Sequence, residues 1–175
     1  MRYAFRVNCQ IKALTGADQA LLWEILALAA HDSLENVVSQ PQLARYAAAW
    51  GRAGDLGFVA SFGEVSLGAA WLRLWPDDDK GFGYINAQTP ELVMAVAPLY
   101  RNLGFGTRLL SQILAAAQGV YPAVSLSVRA DNPAVEFYRR AGFAKIVGSE
   151  IVNRTGGISF AMVKNSLLSH KPVKP

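Results

Sequence analysis

The sequence has little cysteine, little charge and no long hydrophobic run. A single cysteine, Cys9, permits no internal disulfide, so nothing indicates an oxidising compartment. No stretch reaches the roughly 18 apolar residues that a membrane-spanning helix needs, and residues 1–14 lack the continuous apolar core of a signal peptide. Since 52% of the 175 residues are hydrophobic and 17% are charged, the chain has the composition of a globular protein. The sequence therefore predicts a cytoplasmic protein without a membrane partner.

The charges are unevenly distributed along the chain, whose formal net charge is +4. Acidic residues outnumber basic ones in residues 1–98, whereas residues 99–145 have a clear basic excess. A basic region attracts either a nucleic acid or a small polyanion. Because no basic run with interleaved aromatic residues is present, the sequence favours a small polyanion and predicts no nucleic-acid partner.

Hydrophobic periodicity and turn residues predict a mixed α/β fold with the order β-α-α-β-β-β-α-β-α-β-β. Thr15 and Asp18 have the spacing of a capping box at the start of the first helix. We expect residues 1–165 to form a single domain and residues 166–175 a flexible tail. The predicted elements are a strand over 4–11, helices over 15–30 and 40–52, a hairpin over 57–75 around Gly63-Glu64, a strand over 90–98, a helix over 107–118, a strand over 123–128, a helix over 132–143 and a hairpin over 145–163.

The stretch "RNLGFG", residues 101–106, lies between the predicted strand 90–98 and the amphipathic helix that follows. Unpaired N–H groups and partial positive charge at a helix start favour anions, and glycines let the backbone approach a phosphate closely. Two known phosphate motifs do not fit, because Arg108 follows Thr107 where a P-loop has Lys, and Leu109 replaces the third glycine of G-x-G-x-x-G. From these residues alone, an anion site and a simple turn into a helix both remain open.

Two linked motifs resemble the GNAT superfamily of acetyltransferases. Val96-Ala97-Pro98 followed by Arg101 to Gly106 is similar to the family's V-x-P and [RQ]-x-x-G-x-[GA] stretch. "NPAVEFYRRAGF", residues 132–143, is similar to its second motif, with Val135 where many members have Ala. The resemblance is close over about residues 90–145. It implies a GNAT-like fold, with a central, mostly antiparallel sheet that is splayed at the middle strand and flanked by helices.

The resemblance implies acetyl-coenzyme A (acetyl-CoA) as co-substrate and no metal. The strand would bind the pantetheine arm through its main chain, and an N–H near its end would act as oxyanion donor. The first motif would bind the pyrophosphate through backbone N–H groups, and the second would also contact the coenzyme. The implied cofactor-binding residues are Met94, Ala95, Val96, Arg101, Asn102, Leu103, Gly104, Phe105, Gly106, Thr107, Asn132 and Tyr138.

The resemblance also implies two catalytic residues. Tyr138 would be the general acid for the departing thiolate, and Glu91 would accept the amine proton through water. Both catalytic candidates have a structural alternative, Tyr138 as a core aromatic and Glu91 as an exposed acid at a strand end. The cofactor-binding candidate Asn132 has one too, as a helix cap before Pro133.

The implied function is an N-acetyltransferase in which a primary amine attacks the thioester directly. The acceptor would be a small-molecule amine or a peptide N-terminus, and the family also allows a homodimer. The alternative is a non-catalytic module of the same fold that binds coenzyme A (CoA) as a sensor.

Overall fold

The computed structural model describes residues 9–165, which divide into two compact units. The first unit contains the residues up to Arg73 together with Val93–Ala116, and the second contains Leu74–Leu92 together with the residues from Ala117 onward. Strand β4 (Glu91–Val96) begins in the second unit and ends in the first. The single domain over residues 1–165 stays a prediction, while the proposed tail 166–175 and residues 4–8 of the predicted first strand lie outside the described residues.

The strands of the first unit have the order β1-β2-β3-β4. They are β1 (Gln10–Ala13), β2 (Leu56–Phe62), β3 (Val65–Arg73) and the end of β4. β1 pairs antiparallel with β2, and β2 antiparallel with β3. The β2–β3 hairpin turns at Gly63, whose φ of 57° lies in the left-handed region that glycine adopts most readily. The predicted hairpin around Gly63-Glu64 is therefore confirmed.

Four helices belong to the first unit or end at its border. They are α1 (Gln19–Ala30), α2 (Leu34–Ser39), α3 (Pro41–Ala44) and α4 (Phe105–Ala117). The capping box is confirmed: the Thr15 side chain accepts from the backbone, and Asp18 Oδ2 accepts from the Thr15 N–H over 2.7 Å, at the short 3-10 turn that precedes α1. α1 packs against β3.

The helix predicted over residues 40–52 is wrong. Helix α3 ends at Ala44, and the separate helix α2 precedes it. Proline disfavours a helical conformation in the residue before it, and Gln40 is extended, with φ −100° and ψ 106°. Beyond Ala44, the buried Arg73 binds the carbonyls of Arg45 and Ala48, which a continuing helix would have used internally.

The second unit has the strand order β4-β5-β8-β6, with β7 also paired to β8. Its further elements are β5 (Ala123–Arg129), α5 (Ala134–Arg140), β6 (Ala144–Lys145), β7 (Ile151–Val152) and β8 (Ile158–Asn165). β4 runs parallel to β5, with Glu91 opposite Ser125, whereas β6, β7 and β5 are all antiparallel to β8. The predicted final hairpin is confirmed.

The fold-class prediction is confirmed, because the described strands are mostly antiparallel, include one parallel pair and are flanked by helices. The predicted apolar face of α4 is also confirmed for Leu109, Leu110 and Ile113, which are buried. Among residues 9–165, no helix has the length and hydrophobicity that a bilayer crossing requires.

Candidate functional site

The loop between β4 and α4 is exposed and has an unusual backbone. After a short 3-10 turn (Pro98–Tyr100), Asn102 and Gly104 both adopt positive φ angles, 59° and 89°. Phe105 then begins α4 with its side chain in the core, only 1% exposed. The buried Phe105 holds the helix start in place, while the preceding loop residues lie at the surface.

The start of α4 is suited to an anion. The first hydrogen bond of the helix runs from the Arg108 N–H to Gly104 O over 3.1 Å. The N–H groups of Phe105 to Thr107 therefore point toward the loop, at the positive end of the helix dipole. Arg101 adds a permanent positive charge, and its Nε donates to Val96 O over 3.0 Å, which ties the loop to the end of β4.

The end of β4 offers main-chain groups on the edge opposite β3. The Ala97 N–H donates to Leu67 O over 2.9 Å, and Ala95 O lies 2.5 Å from where a Cβ on Gly68 would be. Ala95 and Ala97 thus face β3. Because successive residues of a strand direct their backbone groups to opposite edges, those of Met94 and Val96 face away from β3. Both residues are half-buried.

Glu91 is buried at the start of β4, with 3% of its surface exposed. The Trp75 indole N–H donates to its Oε2 over 2.9 Å, and the Gly83 N–H donates to its Oε1 over 2.8 Å. Glu91 is therefore not the exposed strand-end acid that the sequence alone left open. Sequence reasoning missed both donors. The one signal for them was the glycine pair Gly81 and Gly83, which indicates close backbone approach.

Tyr138 lies on α5, half-buried, with its ring 5.3 Å from that of Phe137 and 5.8 Å from that of Phe143. Burial raises the pKa of its phenol above the usual value of 10.0. Among residues 9–165, its hydroxyl has no hydrogen-bond partner. The phenol therefore keeps its proton at neutral pH, and its O–H is available to donate a hydrogen bond.

Asn132 caps the start of α5. Its Oδ1 accepts from the Ala134 N–H over 2.9 Å, and its carbonyl accepts from the Val135 N–H over 3.0 Å. The cap predicted before Pro133 is present, and a coenzyme contact of Asn132 stays a prediction.

The structure groups the predicted site residues by unit. In the first unit, the Arg101–Val96 hydrogen bond joins the β4 end to the loop of residues 101–107. The second unit holds Glu91, Asn132 and Tyr138. Residues 9–165 contain no group of three or more His, Cys, Asp and Glu side chains placed to hold a metal ion.

A strand that leads through an exposed glycine turn into a helix start is the arrangement with which many α/β proteins bind an anion. The sequence matches the profile of the Acetyltransferase (GNAT) family over residues 21–143, and the chain belongs to this family. It is therefore an acyltransferase, and the family takes its acetyl group from acetyl-CoA.

Solved structures show the same fold. A putative acetyltransferase, yncA, from Salmonella typhimurium, solved with acetyl-CoA, has a TM-score of 0.68 and 22% identity over 95% of this chain and 98% of its own. The ribosomal-protein-S18-alanine N-acetyltransferase from Escherichia coli has a TM-score of 0.65 and 18% identity over 95% and 99%. The spermidine/spermine N-acetyltransferase SpeG from Vibrio cholerae, solved with manganese, has a TM-score of 0.60 and 15% identity over 92% and 94%. A sequence comparison with curated proteins gives no match.

Proposed function

We propose that the protein transfers acetyl from acetyl-CoA to a primary amine, with both substrates bound at once. The observation that carries this proposal is the exposed loop with positive φ angles at Asn102 and Gly104, directly before the start of α4. It offers backbone N–H groups and Arg101 to a diphosphate without a covering side chain at Gly104.

The residues proposed to bind acetyl-CoA match the chemistry of its pantetheine arm and its pyrophosphate. The main chain of Met94 and Val96, on the edge opposite β3, would pair with the amide-rich pantetheine arm as an added strand does. Since Ala95 faces β3, the Val96 N–H is the better oxyanion donor of the two, and Ala95 would contribute through its side chain. The pyrophosphate would lie on the main chain of Arg101, Asn102, Leu103, Gly104, Phe105, Gly106 and Thr107, with Asn132 as a further contact.

The protein's catalytic groups would move two protons. Acetyl-CoA supplies the acetyl group as a substrate. As the amine nitrogen bonds to the acetyl carbon and the carbon–sulfur bond breaks, the amine proton passes through water to Glu91, and Tyr138 gives its proton to the sulfur. A phenol has a pKa of about 10 and is neutral at physiological pH, so Tyr138 enters each cycle as the acid form.

The acceptor belongs to the amine class that the family acetylates. Two relatives of the fold are named for polyamine acceptors and for a ribosomal-protein alanine. We propose a small-molecule amine or a peptide N-terminus for this chain. A homodimer and a cytoplasmic location remain expectations from the sequence.

The test is thiol release from acetyl-CoA in the presence of an amine panel that includes spermidine and a peptide beginning with alanine. Wild-type protein should release thiol with at least one amine. Tyr138→Phe should lower kcat by about 10²-fold or more. Tyr121→Phe, a change of another tyrosine in the second unit, is the matched control and should keep full activity.

Two results would contradict the proposal. Tight CoA binding with no thiol release from any amine would instead support the sensor. Equal turnover of Tyr138→Phe and wild type would remove the general acid while leaving acetyl transfer in place.

A further inference from the structure

Three residues of the second unit form a carboxylate clamp: Trp75, Gly83 and Glu91. The two donors reach Glu91 from the connection between β3 and β4 and bind different oxygens of one carboxylate. Trp75 is 2% exposed and Glu91 is 3% exposed, so their hydrogen bond lies in the protein interior. Two donors on two oxygens fix both the position and the rotation of the carboxyl plane.

The connection approaches Glu91 so closely that only glycine fits at two positions. A Cβ on Gly81 would overlap Glu91 Oε2 and Trp75 Nε1. A Cβ on Gly83 would lie 2.9 Å from Glu91 Oε1 and 2.6 Å from the carbonyl carbon of Leu126 in β5. The sequence "KGFGY", residues 80–84, thus places a backbone donor on the carboxylate and leaves no space for a side chain at either glycine.

We propose that Trp75 and Gly83 are positioning residues that aim the Glu91 carboxylate for proton transfer. The proposal rests on the proposed function, in which Glu91 takes the amine proton through water. A base is effective only when its lone pair is directed at the proton path, and a misplacement of about 1 Å can cost on the order of a hundredfold in rate. Neither Trp75 nor Gly83 need touch the substrate, since both act through Glu91.

Trp75→Phe tests the indole donor, because it removes the N–H and keeps an aromatic ring in the same place. Its matched control is Trp71→Phe in the first unit. Trp71 is fully buried, and its indole N–H also donates over 2.9 Å, but to the backbone oxygen of Tyr46. Both variants lose one buried hydrogen bond and part of one ring, so both should lower the unfolding temperature.

Only Trp75→Phe should affect the chemical step. We expect its kcat for the most active amine of the panel to fall between about tenfold and a hundredfold, with the KM for acetyl-CoA unchanged. Trp71→Phe should keep the wild-type kcat. A role in stability alone would affect both variants alike.

A double-mutant cycle shows whether Trp75 acts through Glu91. Glu91→Gln replaces one acceptor oxygen by an NH2 group, so one donor of the clamp then faces another donor. We expect Trp75→Phe to relieve this conflict, and therefore to lower the unfolding temperature less in the Glu91→Gln background than in wild type. Its effect on kcat should disappear in that background, because no base remains to be positioned.

The outcomes separate the two proposals. Thiol release by wild type with equal kcat for Trp75→Phe and Trp71→Phe overturns the positioning role and leaves the acetyl transfer standing. Additive effects of Trp75→Phe and Glu91→Gln on kcat also overturn it. Absence of thiol release by wild type overturns the proposed function, and the positioning role with it.

Discussion

At the scale of single residues, Arg73 joins the end of β3 to the segment after α3. Its side chain is fully buried and forms a two-point ion pair with Asp55, Nε to Oδ1 over 3.0 Å and Nη2 to Oδ2 over 2.6 Å. Nη1 also donates to the carbonyls of Arg45 and Ala48 over 2.7 and 2.8 Å. The planar guanidinium suits this task because it presents several donors in one plane.

Replacement of Arg73 by Met should strongly destabilise the protein. It leaves the Asp55 carboxylate, whose side chain is 3% exposed, without its cation and also removes the donor from two carbonyls. Loss of one partner of a buried ion pair typically costs about 3–5 kcal/mol. Urea unfolding followed by circular dichroism measures the change.

An exposed ion pair of the second unit is the control. Arg129 binds Asp131 over 3.0 Å, but the side chains are 34% and 70% exposed, so Arg129→Ala should cost no more than about 1 kcal/mol. Adding Asp55→Asn to Arg73→Met should cost less than the sum of the two single changes, because they remove the same contact. Equal losses for Arg73→Met and Arg129→Ala would contradict this account of Arg73.

Tyr138 should make the protein less stable at alkaline pH. Burial raises the pKa of its phenol in the folded state above the usual 10.0, so the unfolded chain loses this proton first as pH rises. The folded state then binds more protons than the unfolded state, and the free energy of unfolding falls above about pH 10 by at most about 1.4 kcal/mol per pH unit.

Tyr138→Phe removes this one contribution. Denaturant unfolding at about pH 8 and about pH 10.5 should show a smaller loss of stability for the variant than for wild type. Parallel losses in both proteins would mean that the phenol titrates alike in the folded and unfolded states.

At the scale of elements, the connection between β3 and β4 packs on β5 through Gly83. A Cβ there would lie 2.6 Å from the carbonyl carbon of Leu126 and 2.8 Å from the N of Ser127, both backbone atoms that a rotamer change cannot move. Gly83→Ala should therefore destabilise the protein by about 1–3 kcal/mol. Gly16→Ala is the control, since nothing lies within 4 Å of its Cβ position, and it should be close to neutral. Thermal unfolding measures the difference between the two variants. Equal unfolding temperatures for Gly83→Ala and Gly16→Ala would contradict the close approach of Gly83 to β5.

The elements that the sequence predicted well are those whose pattern is local. The β4–loop–α4 segment follows from a short apolar run, two prolines, glycines and a helical repeat, all within residues 90–118. The helix predicted over residues 40–52 is wrong beyond Ala44 because the carbonyls of Arg45 and Ala48 bind Arg73, which lies more than 20 residues away in the sequence. Periodicity contains no information on such a contact.

At the scale of the whole molecule, the candidate site also combines features that follow from local sequence patterns with features that depend on contacts between residues distant in the sequence. The resemblance to the family made the loop of residues 101–107 and the residues Glu91 and Tyr138 candidates, because motif spacing is a local property of the sequence. The burial of Glu91 and its donors Trp75 and Gly83 were not predictable, since they depend on how a connection of irregular structure folds back on β4. Residue types and their spacing can thus be read from the sequence, whereas the burial and hydrogen-bond partners of each residue require the structure.

CoA should stabilise the whole protein, because a ligand that binds only the folded state raises the free energy of unfolding. At about 100 times its dissociation constant, the gain is about 2.7 kcal/mol. Gly104→Ala should reduce this gain at a fixed CoA concentration. The φ of 89° at Gly104 strains any side chain by roughly 1–2 kcal/mol, so alanine would change the backbone of the proposed pyrophosphate loop.

Gly148→Ala separates the loss of coenzyme binding from the strain itself. Gly148 has a φ of 81° and, like Gly104, nothing within 4 Å of its Cβ position, so the conformational cost is similar. It lies in the second unit between β6 and β7, outside the proposed pyrophosphate loop. Differential scanning fluorimetry with and without CoA should show a full CoA-induced rise in unfolding temperature for Gly148→Ala and a smaller one for Gly104→Ala. If the two rises are equal, the backbone of the β4–α4 loop does not bind the diphosphate, and the site must be sought elsewhere in the chain.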